Sequence, residues 1–268
     1  MRYIKKRTQE PTFLRDFKKE LLKGNLPTHT YDTLRDDSTG VFKKLQEFLA
    51  KEQGYLCAYC LRELKIDEKS DRIKMKVEHF KPKSIFNGQI NTPSQTKRLC
   101  DKKELKRVDL RIDYHNLFAV CEGKIGDANS ETHCDTPPNG KDDKELCFIP
   151  NPSKGRANKF NLKIRYNFKC YISSDDEKIN QELIEVLNLN EQVLQRTRKS
   201  VWNGVAKEIA KETGSKNWEQ KGKVAIPVIQ QILTKYKNPK KDGKYYEFRD
   251  CIIYRLEWRI RMFNKQPN

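Results

Sequence analysis

Apolar residues recur at helical spacing near the N-terminus, lose that spacing through the middle of the chain, and regain it towards the end. Phe13, Leu14, Phe17 and Leu21 share one helical face. They predict a helix over 11–22, with Pro11 near its start, where a missing N–H costs little, and Gly24 beyond its end. A polar loop through Asp36, Asp37 and Ser38 follows. Leu45, Phe48 and Leu49 then predict a helix over 41–52, stopped by Gly54. From 54 to about 147 the pattern is of short β-like pieces and turn residues, interrupted by a loop with Gly88, Asn91, Pro93 and Ser94. Pro150, Asn151, Pro152 and Gly155 read as a linker.

Alternation over 163–172 predicts paired strands. Ser174-Asp175-Asp176-Glu177 fits a capping box opening a helix to about residue 187. Three further helices are expected over 191–212, 224–236 and 245–263. The first carries Leu194, Val201, Val205 and Ile209 on one stripe, and the last carries Ile252, Leu256, Ile260 and Phe263. Such stripes are usually core-facing. The expected fold class is α+β, mainly helical. Its parts are an N-terminal helical segment (1–53), a cysteine-bearing core (54–149) and a mainly α-helical C-terminal region (150–268).

Composition narrows the partners. Lys and Arg number 55 against 37 acidic residues in 268, a formal charge of +18. That surplus favours a polyanion, most simply nucleic acid, without separating DNA from RNA. Lys97, Arg98, Lys102, Lys103, Lys106, Arg107 and Arg111 form a basic stretch that is either a solvated face or a phosphate-tracking surface. Mean hydropathy is −0.91 and 36% of residues are hydrophobic. The core is therefore modest for this length, and a metal site or partner chain would help to stabilise it. No apolar run approaches the ~20 residues needed to span a bilayer. The first residues lack the apolar stretch of a signal peptide. A cytoplasmic protein with reduced thiols and no membrane association is expected.

Of eight cysteines, Cys57 and Cys60 have CxxC spacing, which lets two thiolates from one turn share a metal. Cys121 and Cys134 supply a second, wider pair, with residues 122–133 as a looped insertion between them. A structural zinc site of Cys57, Cys60, Cys121 and Cys134 follows. Cys100, Cys147, Cys170 and Cys251 have no partner at ligand spacing and read as ordinary thiols. Between the pairs lie Glu78-His79 and Asn116. Phosphodiester hydrolysis needs a base to activate water and a cation to stabilise developing charge. A histidine generally titrates near neutral pH, so His79 suits the base, while Glu78 beside it can hold a hard ion such as Mg²⁺ or Mn²⁺. On a strand their side chains face opposite sides. Asn116 could fix the imidazole or its loop through its amide.

These segments resemble the HNH, or ββα-metal, endonuclease pattern with an embedded zinc ribbon. The resemblance rests on Cys57-x-x-Cys60, Glu78-His79-x-x-Pro82, Asn116-Leu117 and Cys134-Asp135. It implies a β-hairpin and helix around one catalytic divalent ion. His79 matches the general base, Asn116 the middle position, and Asp135 the third position, which binds the ion together with Glu78. The third residue departs from the usual His, and His133 is the alternative ligand. The opening residues with Glu10-Pro11, Phe160-Asn161-Leu162 and Leu187-Asn188-Leu189-Asn190 further resemble the HNH subunit of Septu-type anti-phage defence systems, also found with some retrons. That likeness implies an ABC/SMC-like ATPase partner and a role in phage defence. The chain has no Walker A motif, so ATP dependence would come from another chain. The competing expectations are a non-catalytic zinc-ribbon nucleic-acid-binding or scaffold protein, and a stand-alone restriction-type nuclease.

Overall fold

The computed structural model describes residues 1–23, 31–66, 74–81, 112–124, 132–134, 146–154 and 162–265. Helix α1 (Thr12–Lys23) starts one residue inside the expected range, its first amides at Leu14 and Arg15 donating to the Pro11 carbonyl. Helix α3 (Val41–Glu52) has the expected bounds and buries Leu45, Leu49 and Ala50. The Phe13 and Phe48 rings meet edge-on at 5.9 Å and join the two helices. Between them the expected loop contains a short helix, α2 (Tyr31–Arg35). It buries only Tyr31 and Leu34, too few positions for a periodicity to reveal it.

Two small antiparallel sheets carry the middle and the start of the C-terminal part. Strand β1 (Lys76–His79) pairs with β2 (Leu117–Val120), with Glu78 opposite Phe118 and His79 opposite Leu117. Strand β3 (Ile164–Tyr166) lies inside the range where alternation predicted strands, and its partner β4 (Ile172–Ser174) begins at the last residue of that range and runs beyond it. A two-stranded ribbon is marginal by itself. Gln53 reinforces the first one from the end of α3. Its amide accepts from Ala119 N at 2.8 Å and donates to Ala119 O at 2.7 Å and Leu56 O at 2.9 Å. The side chain thus takes the place of a neighbouring strand for β2.

The C-terminal helices depart from expectation mainly at their starts. Helix α4 (Glu177–Gln181) is capped by Asp176, which accepts from Lys178 N and Ile179 N, and not by Ser174. It continues as a π-type turn, Glu182–Val186. Here the Glu182 carboxylate is buried because it accepts three backbone amides, from Cys147, Phe148 and Ile149, at 2.7–2.9 Å. Helix α5 (Gln192–Glu212) is capped by Glu191 and buries Leu194, Arg198, Trp202, Val205 and Ile209, with Val201 only half-buried. The Arg198 guanidinium is tolerated inside because it donates to the Cys170 and Leu189 carbonyls at 2.8 and 3.0 Å. Helix α6 (Ile226–Lys237) follows a 3₁₀ segment kinked at Gly222.

Helix α7 (Arg249–Lys265) begins four residues later than periodicity suggests. Residues 245–248 are used for long-range backbone bonds instead: Tyr245 N donates to Gly54 O at 3.0 Å and Phe248 N to Leu61 O at 2.9 Å. Cys170 and Cys251, which have no partner at ligand spacing in sequence, meet in space. A thiol–thiol hydrogen bond from Cys251 pulls Cys170 down to about 7 despite burial. One apolar cluster runs from Ile4 and Leu14 through Leu117–Val120 to Ile252 and Phe263.

Gly54 joins three of these elements. Its φ of +62° disfavours side chains, and a Cβ there would lie 2.3 Å from Cδ2 of Tyr245. Gly54→Ala is expected to destabilise the fold by at least about 2 kcal/mol in urea unfolding. Adding Tyr245→Ala should relieve the steric part and leave the backbone part.

Candidate metal centre and active site

The four cysteines of the two sequence pairs meet at one buried point. Cys57 and Cys60 occupy a tight knuckle closed by Leu61 N donating to Cys57 O and Cys57 N to Arg62 O, at 3.1 and 2.9 Å. Ala58 N donates to Ala119 O at 3.0 Å, which docks the knuckle on β2. Cys121 directly follows β2. Cys134, at φ +66°, donates its amide to Leu187 O at 2.9 Å, so the end of the π-type turn after α4 positions the last sulfur. All four sulfurs lie within 4.8 Å of one another and all four residues are buried. The Cys57–Cys134 and Cys60–Cys121 sulfur separations are 3.9 and 3.7 Å. Sulfurs bonded to one tetrahedral zinc at about 2.3 Å would stand about 3.8 Å apart, whereas a disulfide needs about 2.05 Å. The donor set therefore fits a metal ion such as zinc.

Electrostatics agree with that fit. Burial pushes the Cys60 and Cys134 thiols well up. Thiol hydrogen bonds from Cys134, then Cys57 and Cys60, hold Cys121 well below its ordinary value. Burial thus opposes negative charge on Cys60 and Cys134, which a bound dication would offset. His133 belongs to this cluster: it is fully buried, with Nδ1 3.2 Å from Cys134 Sγ and 3.9 Å from Cys121 Sγ. Its amide donates to Gly123 O at 2.8 Å, so the two ends of the 122–133 insertion lie together.

The Glu-His pair lies on β1, with alternating burial: Val77 and His79 are buried and Glu78 is half-buried. The two side chains thus leave opposite faces, as expected of a strand. His79 packs edge-on against the Tyr31 ring, centroids 4.6 Å apart, and the Tyr31 hydroxyl donates to Val77 O at 3.0 Å. Asn116 is buried directly beside the end of β1. Its Oδ1 accepts from Lys81 N at 2.8 Å and its Nδ2 donates to Lys81 O at 3.0 Å, while its carbonyl accepts from Phe80 N at 2.9 Å. Asn116 therefore grips the backbone immediately after His79.

The 3₁₀ turn Tyr114–Asn116 that carries this asparagine is held by Lys6. The Lys6 ammonium donates to Tyr114 O at 2.8 Å and Leu117 O at 2.7 Å, lies 3.7 Å from a Glu52 carboxylate oxygen, and sits 4.1 Å from the Tyr114 ring centroid. Burial nevertheless pulls it from 10.5 to about 8.

Asp135, the basic stretch 97–111 and Cys100 lie outside the described residues. His115 is exposed beside the site. Tyr31, Gln53 and Lys6 escape a reading of the sequence, because each acts on β1, β2 or the turn before β2 across a long stretch of chain with no local motif to mark it.

No family model matches the chain. It is similar to a protein of Escherichia coli named "Retron Ec83 putative HNH endonuclease", at 31% identity over half of this chain and 41% of the relative. It is also similar to a Vibrio cholerae serotype O1 biovar El Tor protein, "Retron Vc95 putative HNH endonuclease". That match has 41% identity over 30% of this chain and 35% of the relative. The chain spans less than half the length of these curated relatives. The likeness to retron HNH endonucleases read from the motifs is thus supported by named relatives.

Cys57→Ser is expected to lower bound metal, measured by elemental analysis, and to reduce the melting temperature, since metal binding is coupled to folding. Lys6 has a folded-state pKa below its unfolded value, so between about pH 8 and 10 the unfolded chain binds more protons. Its contribution is least favourable below pH 8 and improves as pH rises through that window. Urea melts from pH 7 to 9.5 should show wild type gaining stability relative to Lys6→Met.

Proposed function

We infer that this chain is a metal-dependent HNH endonuclease that hydrolyses phosphodiester bonds in nucleic acid. The observation that carries this reading is the Asn116 amide clamped on the backbone that follows His79, on a ribbon tied to a four-cysteine centre. A nucleic-acid-binding ribbon has no need of such a clamp. The named relatives support the nuclease class. The four cysteines hold a structural zinc ion, and residues 54–149 form the nuclease core between helical flanks. No helix among the described residues is long and apolar enough to cross a membrane, and the protein acts in the cytoplasm.

His79 accepts a proton from the attacking water at a ring nitrogen, the water oxygen bonds to phosphorus, and the bond to the leaving oxygen breaks. The leaving oxygen then takes a proton from solvent. Glu78, with Asp135, would hold a hard divalent ion, Mg²⁺ or Mn²⁺, through oxygen ligands. Such an ion, when bound, stabilises charge on the phosphoryl and leaving oxygens. Asn116 fixes the loop after β1 and so the direction of the imidazole, while Tyr31 packs one side of the ring. The formal charge of +18 favours contact with the phosphate backbone. An ABC/SMC-like ATPase is the partner in an anti-phage complex.

The test is Mg²⁺- or Mn²⁺-dependent cleavage of plasmid DNA and total RNA, with and without the partner ATPase. His79→Ala should lose at least about 100-fold in rate with metal content and melting temperature unchanged. Cleavage retained by the variant would remove His79 from the base role. Nucleic acid bound but never cut, by any form, would favour the non-catalytic ribbon.

A further inference from the structure

The β3–β4 hairpin and α7 enclose a cavity of about 420 Å³ in the C-terminal half. Phe168, Tyr254 and Trp258 give it aromatic surface, Arg165, Arg255 and Arg259 give it charge, and no Asp or Glu lines it. Phe168 is 69% exposed and Trp258 42%. Rings of this size are rarely left in water without a role when they cluster.

The exposure of Phe168 is built in. Its turn is fixed by Asn167, whose Oδ1 accepts from Lys169 N and Tyr171 N at 2.9 and 3.1 Å and whose carbonyl accepts from Cys170 N at 2.9 Å. Arg255 locks the turn to α7 by donating from Nη1 to the same carbonyl at 2.7 Å, with its guanidinium 4.1 Å above the Trp202 ring. The ring is therefore presented on a rigid support. Arg165 pairs with Asp175 and Arg259 with Glu219, both carboxylates outside the lining. Among the described residues Arg255 has no ion-pair partner.

Rigid π-faces next to guanidinium groups suit a ligand that joins a flat ring to an anion. The volume falls within the usual range for small-ligand sites. The chain's surplus of positive charge makes a polyanion the natural source. We propose that this cavity is a nucleotide subsite, taking one unstacked base of a single nucleic-acid strand against Phe168, Tyr254 and Trp258, with the adjoining phosphate at Arg255 and Arg165. Its lining includes no residue of β1 or β2, and binding there requires no cleavage at His79.

The test uses the full chain without added divalent ion and a single-stranded oligonucleotide of about 12 nucleotides, a length covering the site sizes of such contacts, carrying one 5-iodouracil. Near-ultraviolet crosslinking followed by peptide mass spectrometry should place adducts on Phe168, Tyr254 or Trp258. Trp258→Ala should weaken binding, read by fluorescence anisotropy, at least about fivefold, the lower end of one lost base stack. Phe168→Ala, at an exposed turn where folding is not at risk, should weaken it similarly. Crosslinks confined to other segments, or unchanged affinity in both folded variants, would overturn the proposal. Equal affinity for a duplex of the same length, or competition by free mononucleotide as strong as by the strand, would overturn the single-strand assignment. Because cleavage is not read, failure of the His79 mechanism shows separately, as absence of metal-dependent product.

Discussion

Four sulfurs contributed by three distant segments must come within 4.8 Å of one another in the protein interior, and the middle of the molecule is arranged around that requirement. The knuckle at 57–60 sits on β2 through Ala58, Cys121 follows β2 directly, and Cys134 sets its amide on Leu187. The centre therefore ties the end of β2 to the end of the π-type turn after α4. Burial opposes ionisation of Cys60 and Cys134, so the arrangement makes most sense around a cation that displaces the protons. In a basic chain of low hydropathy, such a centre supplies stability that apolar burial alone would not.

The ribbon of β1 and β2 has too few residues to stabilise itself, and side-chain amides supply what further strands would. Gln53 bonds both backbone groups of Ala119, and Asn116 bonds both backbone groups of Lys81. An amide offers donor and acceptor in the same plane, so it can stand in for a peptide unit at a sheet edge. Lys6 completes the set by satisfying two carbonyls at the turn between Tyr114 and Leu117. The consequence for chemistry is local: the backbone on both sides of His79 is fixed, by β2 before it and by Asn116 after it.

The helical half uses buried charge in the same way. The Glu182 carboxylate collects the amides of 147–149, and the Arg198 guanidinium collects the carbonyls of Cys170 and Leu189. Each charge is buried because loop backbone groups need a partner there and water is excluded. Residues 147–149 are thereby anchored to the π-type turn after α4 and the β3–β4 turn to α5, while Arg255 ties the same turn to α7, which bears Tyr254 and Trp258.

Helix α3, the stop at Gly54, helix α5 and the pairing over 163–172 were legible in the sequence, because local periodicity and punctuation decide them. So was the meeting of the four cysteines, since sharing a metal restricts residue type and spacing. Other features were settled only by tertiary structure. Helix α7 starts at Arg249 because Tyr245 and Phe248 are spent on Gly54 and Leu61. Arg198 is core despite its charge, and Cys170 finds Cys251. Asn116 grips the loop backbone at Lys81. Each of these depends on a partner far along the chain, and the energy of a buried polar group is set by that partner and not by its neighbours in sequence.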